Sequence, residues 1–519
     1  MNRYKTLLLL MLGLSVVACS DLEEEPIGEV VPETFFTDVA SVQSALNGVY
    51  ARAHHRFFLA RETSLPIMLR SDMIDIGNQN TRAERIAHNN FTDVATNDNT
   101  SVAWKAMYDI ISAANLAIRG SEIASGSQEQ LETLSGEAHF FRALTYYHLV
   151  RQFGSVVYID EPIADANAVS NAIPFTPEEI YAEIIDDLEF AKSVLPDVVS
   201  NKSKPSKAAA SAYLASVYLT TGDYANALLE AEDVISKSVD DGDGTYPLGL
   251  EPDYQNLFHY SRVKDSMEPI FVLDFIGIAP LDRTNWYTDY LAPLTGIEGN
   301  IAYGNSGGWT VMVPSFEVYN TWDGRDYRRA VSFDTTAVSN NLNGGNPVDY
   351  TQFSLIDPLN SNRPHIAKYQ RFAGDNDLIG NEARASELDY LLMRYAEVLL
   401  IAAEAAVEQG DNSKALTYIN RVRARARNGA VDGDNVKYPA SAFPADLTGT
   451  VTVADVLEER RLELAFEGKR WYDIIRRDLG PAVFSSTGFE GEKSGFVYPD
   501  DYLIPIPANE VARNPNLGN

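Results

Sequence analysis

The chain of 519 residues is 45% hydrophobic and 10% aromatic, enough to bury a large core, and its formal net charge is −31. So acidic a balance argues against nucleic acid as a partner, because a phosphate-binding protein must supply cations in exchange for released counterions. A single cysteine leaves no disulfide to form, and no run after the first twenty residues approaches the roughly 18 apolar residues of a membrane-spanning helix.

In chain order, the first element is a leader. Residues 2–5 are basic, and an apolar run follows from Leu7 to Ala18, broken only by Gly13 and Ser15. That is a signal peptide over residues 1–18, too short to span a bilayer. Val16, Val17 and Ala18 directly before Cys19 resemble the lipobox of bacterial lipoproteins. The resemblance implies cleavage before Cys19, acylation of that residue and a tether over residues 19–38. Several acyl chains together anchor a protein stably where one does not. The acidic stretch Ser20 to Glu25 is similar to the signal that sends Bacteroidetes lipoproteins to the outer face of the outer membrane. The simpler alternative is a secreted protein with an incidental cysteine near its cleavage site.

Helical periodicity dominates residues 39–235 and returns over 386–477. Residues 207–238 read as two amphipathic helices about a Gly222-Asp223 turn, with Ala215, Tyr218, Gly222 and Ala227 at tetratricopeptide offsets. A second copy places Ala403, Gly410 and Ala415 at the same spacing. Less regular helical pairs are expected at 101–120 with 129–153, and a helix over 177–194 joins the first good copy. Between them, 239–385 turns to short strands, turns and loops rich in Gly, Asn, Asp and aromatics, with a strand at Pro269 to Phe275. The expected organisation is therefore mainly α: a helical part over 39–238, an irregular insertion over 239–385 as the candidate ligand-binding region, and a second helical part over 386–519. Long irregular segments in compact proteins are usually functional.

Several blocks in fixed order resemble the SusD/RagB family of outer-membrane glycan-binding lipoproteins. They are Trp104 to Asn115, Gly136 to Val150 with Phe153-Gly154, Leu457 to Arg477, and Tyr502 to Pro507 leading to Asn514-Pro-Asn-Leu. The resemblance implies tetratricopeptide-like helical pairs beside an irregular glycan-binding region. It also implies a partner, a SusC-like TonB-dependent barrel to which the lipoprotein delivers oligosaccharides. An anionic glycan, a uronate polymer such as alginate, and a peptide are alternative ligands.

A sugar ring presents apolar C–H faces flanked by hydroxyls, so its receptor needs flat aromatics with Asn, Gln, Asp or Arg around them. Trp286, Tyr287, Tyr290 and Trp309 have that character, core packing being an equal alternative for each. Trp322, beside Asp323 and Arg325, reads as structural. A second candidate is the segment from Arg52 to His88, whose arginines (52, 56, 61, 70, 82 and 85) outnumber Glu62, Asp72, Asp75 and Glu84. Arginine forks suit carboxylates and sulfates. Asn78, Gln79 and Arg82 are its chosen contacts, and the simpler reading is a helix flank neutralising its neighbours.

The charged block Glu458 to Arg477 reads as structural, its Glu/Arg pairs three or four apart lying on one helix flank. No cofactor, metal motif or nucleophile elbow is present. Asp240-Asp241-Gly-Asp243 departs from an EF-hand, since that register puts Val239 and Leu250 at ligand positions. The expected protein is a non-catalytic receptor. Two alternatives remain: a surface glycosidase with facing carboxylates, and an architectural protein in which Trp286 and Trp309 are buried.

Overall fold

The computed structural model describes residues 32–163, 169–275, 289–297, 308–339, 342–349, 364–371, 386–430, 438–484, 493 and 495–518. Cys19, Trp286 and Tyr287 lie outside the described residues.

The helical stack starts with α1 (Val39–Ala53), after which α2 (Ser64–Leu69), β1 (Ile74–Ile76) and α3 (Ala83–Asn90) form an irregular excursion. Two 26-residue helices follow, α4 (Asp98–Ile123) and α5 (Gln128–Phe153). Their starts are written locally: the Asn97 side chain accepts from the Asn99 and Thr100 amides, and Ser127 caps the next helix. Thr176 and Glu179 form a capping box with Pro177 in the first turn of α6 (Pro177–Val194). Helices α7 (Lys207–Thr221) and α8 (Tyr224–Ser236) are the first tetratricopeptide-like pair, and α10 (Tyr395–Glu408) and α11 (Asn412–Ala426) are the second. Gly222 and Gly410, at φ +81° and +76°, adopt the left-handed conformation that each inter-helix turn requires. Ala215, Ala227, Ala403 and Ala415 are fully buried, which lets the helices approach closely.

Consecutive helices pack in sequence, α4 on α1 and on α5, then α5 on α6, α6 on α7 and α7 on α8. Helix α8 packs directly on α10. The two tetratricopeptide-like pairs are thus neighbours in space, and the chain between residues 239 and 389 loops out of a stack that closes behind it. Where it leaves and returns, β2 (Pro269–Leu273) pairs antiparallel with β4 (Tyr390–Arg394), every residue of both being buried. Among the described residues, no helix is long and apolar enough to cross a membrane.

The charged block forms α12 (Val453–Glu463) and α13 (Arg470–Arg476). Arg461 with Glu458 is the expected pairing along a helix. Most of the others join distant elements. Glu463 contacts three buried arginines, Arg394 at 2.6 Å, Arg328 at 3.0 Å and Arg425. Arg394 also holds Glu268 and Glu467, and Arg460 and Arg476 share Asp473. Arg470 grips Asp72 through two bonds of 2.9 and 2.8 Å. The block is a hub of buried, bidentate ion pairs, which satisfy charges that burial alone would make very costly. The acidic loop after α8 is also structural: Asp241 accepts from Tyr395 and pairs with Arg421, and Asp240 accepts the Leu250 amide. Among the described residues no cluster of acids, His or Cys is arranged to hold a metal.

Candidate functional site

The two segments singled out separately in the sequence meet across a two-stranded ladder. Strand β1 pairs antiparallel with β3 (Met312–Pro314), placing Ile74 opposite Pro314 and Ile76 opposite Met312. The ladder runs on into the loops: the Gly77 amide donates to Val311 at 3.1 Å and the Asn78 amide to Thr310 at 2.7 Å. Asn78 is thereby fixed beside the backbone that carries Trp309. The short helix α9 (Leu291–Thr295) completes the floor, its Pro293 carbonyl accepting the Trp309 amide at 2.6 Å. Gly77 is required at this crossing, because a Cβ there would lie 2.5 Å from the Thr310 carbonyl oxygen and 2.7 Å from Val313.

On this floor stand two rings and three arginines. Tyr290 and Trp309 are 6.0 Å apart, centroid to centroid. Arg56 lies 5.6 Å and Arg61 4.8 Å from the Tyr290 ring centre, and Arg85 lies 6.0 Å from that of Trp309. Arg56 also donates to the Tyr290 hydroxyl at 3.4 Å. The arginines crowd one another. Burial and then Arg61 push the Arg85 guanidinium down to about 10, and burial and then Arg56 and Arg61 hold His55 below its usual value. Glu62 answers part of this charge, accepting from Arg61 and from the Asn99 amide group.

The aromatic expectations divide. Trp309 is partly buried, packed against the edge of the core. Tyr290, expected to stack on a sugar, is only 2% exposed. Covered by Arg56 and Arg61, it supports the guanidinium layer instead of offering a free face. Asn78 is half-buried at the centre, while Gln79 and Arg82 are exposed at the rim. Trp322 is buried against Phe333, as the structural reading requires. Sequence reasoning passed over Arg56, Arg61 and Arg85 as individual contacts. The only signal was a local excess of arginine in an acidic chain. Another groove, of about 410 Å³, lies between α4 and the C-terminus. Its wall is mainly apolar and includes the rings of Trp104 and Tyr108, with Lys105, Asp109, Arg513 and Asn514 also lining it.

Two family models match, the one described as SusD family over residues 313–519 and the one described as starch-binding associating with outer membrane over residues 22–219. The chain is 44% identical to the SusD-like protein P2 of Formosa agariphila over 519 residues, covering all of this chain and 99% of that one. The chain belongs to the SusD family. A SusD-like protein of Bacteroides ovatus is 25% identical over 91% of this chain and 82% of its own length. Among solved structures, a laminarin-binding SusD-like protein superposes with a TM-score of 0.75 at 22% identity, over 92% of this chain and 98% of that one. The surface glycan-binding protein A of Bacteroides thetaiotaomicron in complex with laminarihexaose gives 0.72 at 20% identity, over 92% and 98%. At those identities the likeness carries the fold. The SusD family comprises carbohydrate-binding proteins, not enzymes, which decides against the glycosidase alternative.

Two consequences concern the floor of this SusD-family site. Gly77→Ala forces the β1–β3 crossing apart and is expected to cost about 1–3 kcal/mol in strain while weakening ligand binding, since Asn78 and Trp309 are positioned by that crossing. Wild-type affinity in the variant would show that the crossing does not set the site. Asp289, beside Tyr290, accepts the Leu291 amide at 2.7 Å, and burial raises its carboxyl to about 7. A raised acid binds its proton more tightly in the folded state, so stability falls as pH rises from about 4 toward 7, by a few kcal/mol at roughly 1.4 kcal/mol per pKa unit. Asp289→Asn is expected to flatten that fall and to melt higher than wild type at pH 8 but not at pH 4. Parallel melting curves across this range would remove Asp289 as the cause.

Proposed function

We propose that this SusD-family protein is a surface receptor that captures oligosaccharides and hands them to a SusC-like TonB-dependent barrel, held to the outer face of the outer membrane by acyl groups on Cys19. The observation that carries the glycan reading is the partly buried Trp309 side chain, beside Asn78 and the Arg85 guanidinium on a backbone floor pinned from two distant segments. One ring face with hydrogen-bonding groups around it is what a pyranose requires. Trp309 is not buried, as the purely architectural alternative would have it. The laminarin-binding relatives of the same fold support a neutral β-glucan as one ligand class. A second reading, an acidic glycan, is favoured by the three arginines around the two rings.

The test is calorimetry of the purified full chain in detergent with a panel of neutral and uronate-containing oligosaccharides, at low and high salt. Binding to at least one glycan, together with co-purification of a TonB-dependent barrel from membranes of the native host, is the expected result. Silence across the panel from a folded protein would overturn the receptor reading and turn the search to peptides. Loss of fatty-acid labelling in Cys19→Ser checks the anchor.

A further inference from the structure

We infer that Arg61 and Arg85 form an anion subsite beside Trp309 that reads a carboxylate or sulfate ester on the captured glycan, an assignment that rests on the glycan-receptor reading above. The argument begins with what these two side chains lack. Arg61 is 9% exposed and gives one nitrogen to Glu62, yet its Nε–H is buried without an acceptor. Arg85 donates to the Thr81 hydroxyl at 3.1 Å and forms no ion pair among the described residues, and its Nε–H is also buried without an acceptor.

An unpartnered Nε–H also occurs at Arg70 and Arg425, but both of those arginines hold carboxylates, as Arg85 does not. Arg70, in the same segment, is paired with Asp93, and Arg328, Arg394 and Arg425 each hold two or more carboxylates. Among the described residues none of the acids of the segment forms an ion pair with Arg85, although Glu62 and Glu84 act on it through space. Asp72 is taken by Arg470, and Glu62 divides its oxygens between Arg61 and Asn99. Partly desolvated, mutually repelling guanidinium groups without enough counter-charge are costly. A ligand anion would relieve that cost, forming charge-assisted and in part bidentate bonds. Arg85 lies 6.0 Å from the ring centre of Trp309, and Arg61 lies 4.8 Å from that of the buried Tyr290 that packs beside Trp309. Arg85 also belongs to the first turn of α3, whose positive dipole end favours an anion. The local cationic patch matters because the chain as a whole, at −31, repels a polyanion. Only a concentrated positive site selects such a ligand.

The experiment compares matched probes on the purified full chain: a uronate oligosaccharide and its carboxyl-reduced form, and a sulfated oligosaccharide and its desulfated form. The expected result is at least tenfold tighter binding of one charged member than of its neutral partner, falling toward parity in Arg85→Gln and in Arg61→Gln, with a weaker salt dependence in each variant. Which pair shows the preference tells carboxylate from sulfate. Arg325→Gln, in the exposed pair with Asp323, is the control and should leave the preference in place. Equal binding of charged and neutral members by wild type, or equal loss of both in the variants, would overturn the anion subsite while leaving the glycan receptor standing. Absence of binding to every probe would overturn both.

Discussion

Glu463→Ala is expected to be among the most damaging single substitutions in this protein. The carboxylate is fully buried and contacts Arg328, Arg394 and Arg425, all at most 2% exposed in their side chains. Removing it leaves three guanidinium groups with less counter-charge in a site water does not reach. Breaking one buried pair in this way costs about 3–5 kcal/mol, a large part of the roughly 5–15 kcal/mol that holds a typical domain together. The loss joins elements far apart in the chain, so it should appear as a cooperative drop in melting temperature or denaturant midpoint. Its pH dependence has a definite sign. The arginines hold the Glu463 carboxyl far below its ordinary value of 4.5, so the stabilisation is full above about pH 4.5 and is lost as pH falls toward the folded-state value. The gap between wild type and variant should therefore narrow under acid. Arg325→Ala, which breaks the exposed pair with Asp323, is the contrast and should leave the midpoint unchanged. If the two variants unfold alike, the buried hub is not what binds these elements together.

The second large effect concerns binding. Trp309→Ala removes the partly buried ring but not the backbone bonds from Trp309 to Pro293 or from Asn78 to Thr310, so the floor of the site should survive. A tryptophan that anchors a ligand commonly contributes 2 kcal/mol or more. Affinity for the captured glycan is thus expected to fall by about 30-fold or more, with the circular dichroism spectrum and melting temperature close to wild type. Binding within twofold of wild type would place the sugar elsewhere, and the groove between α4 and the C-terminus would be next to test.

How much of this was readable before the structure varied with the distance between interacting residues. The helical stack was readable because its signals are local: apolar residues at helical spacing, Thr176-Pro177 and Glu179 at a helix start, and glycine where a turn needs positive φ. The block from Glu458 to Arg477 was rightly read as structural, but its pairs were expected along one helix. Arg461 with Glu458 and Arg476 with Asp473 follow that pattern, whereas the main partners of Glu463 lie on the strand and helices that it binds together.

For the candidate site, the residue types were visible and their combination was not. Composition pointed separately to aromatics near 290 and 309 and to arginines between 52 and 88. Tyr290 and Trp322 turned out to be covered, Trp309 partly open, and nothing in their own neighbourhoods distinguishes these outcomes. The sequence by itself determined the fold class, the family and the two surfaces worth testing, because periodicity, turn chemistry and ordered motifs act over a few residues at a time. Only the tertiary structure decided that Asn78 meets Thr310, that Arg85 lies beside Trp309, and that Arg85 forms no ion pair among the described residues. Those facts depend on which distant strands share hydrogen bonds and which carboxylates other arginines have already taken, and neither is encoded in any local stretch of the chain.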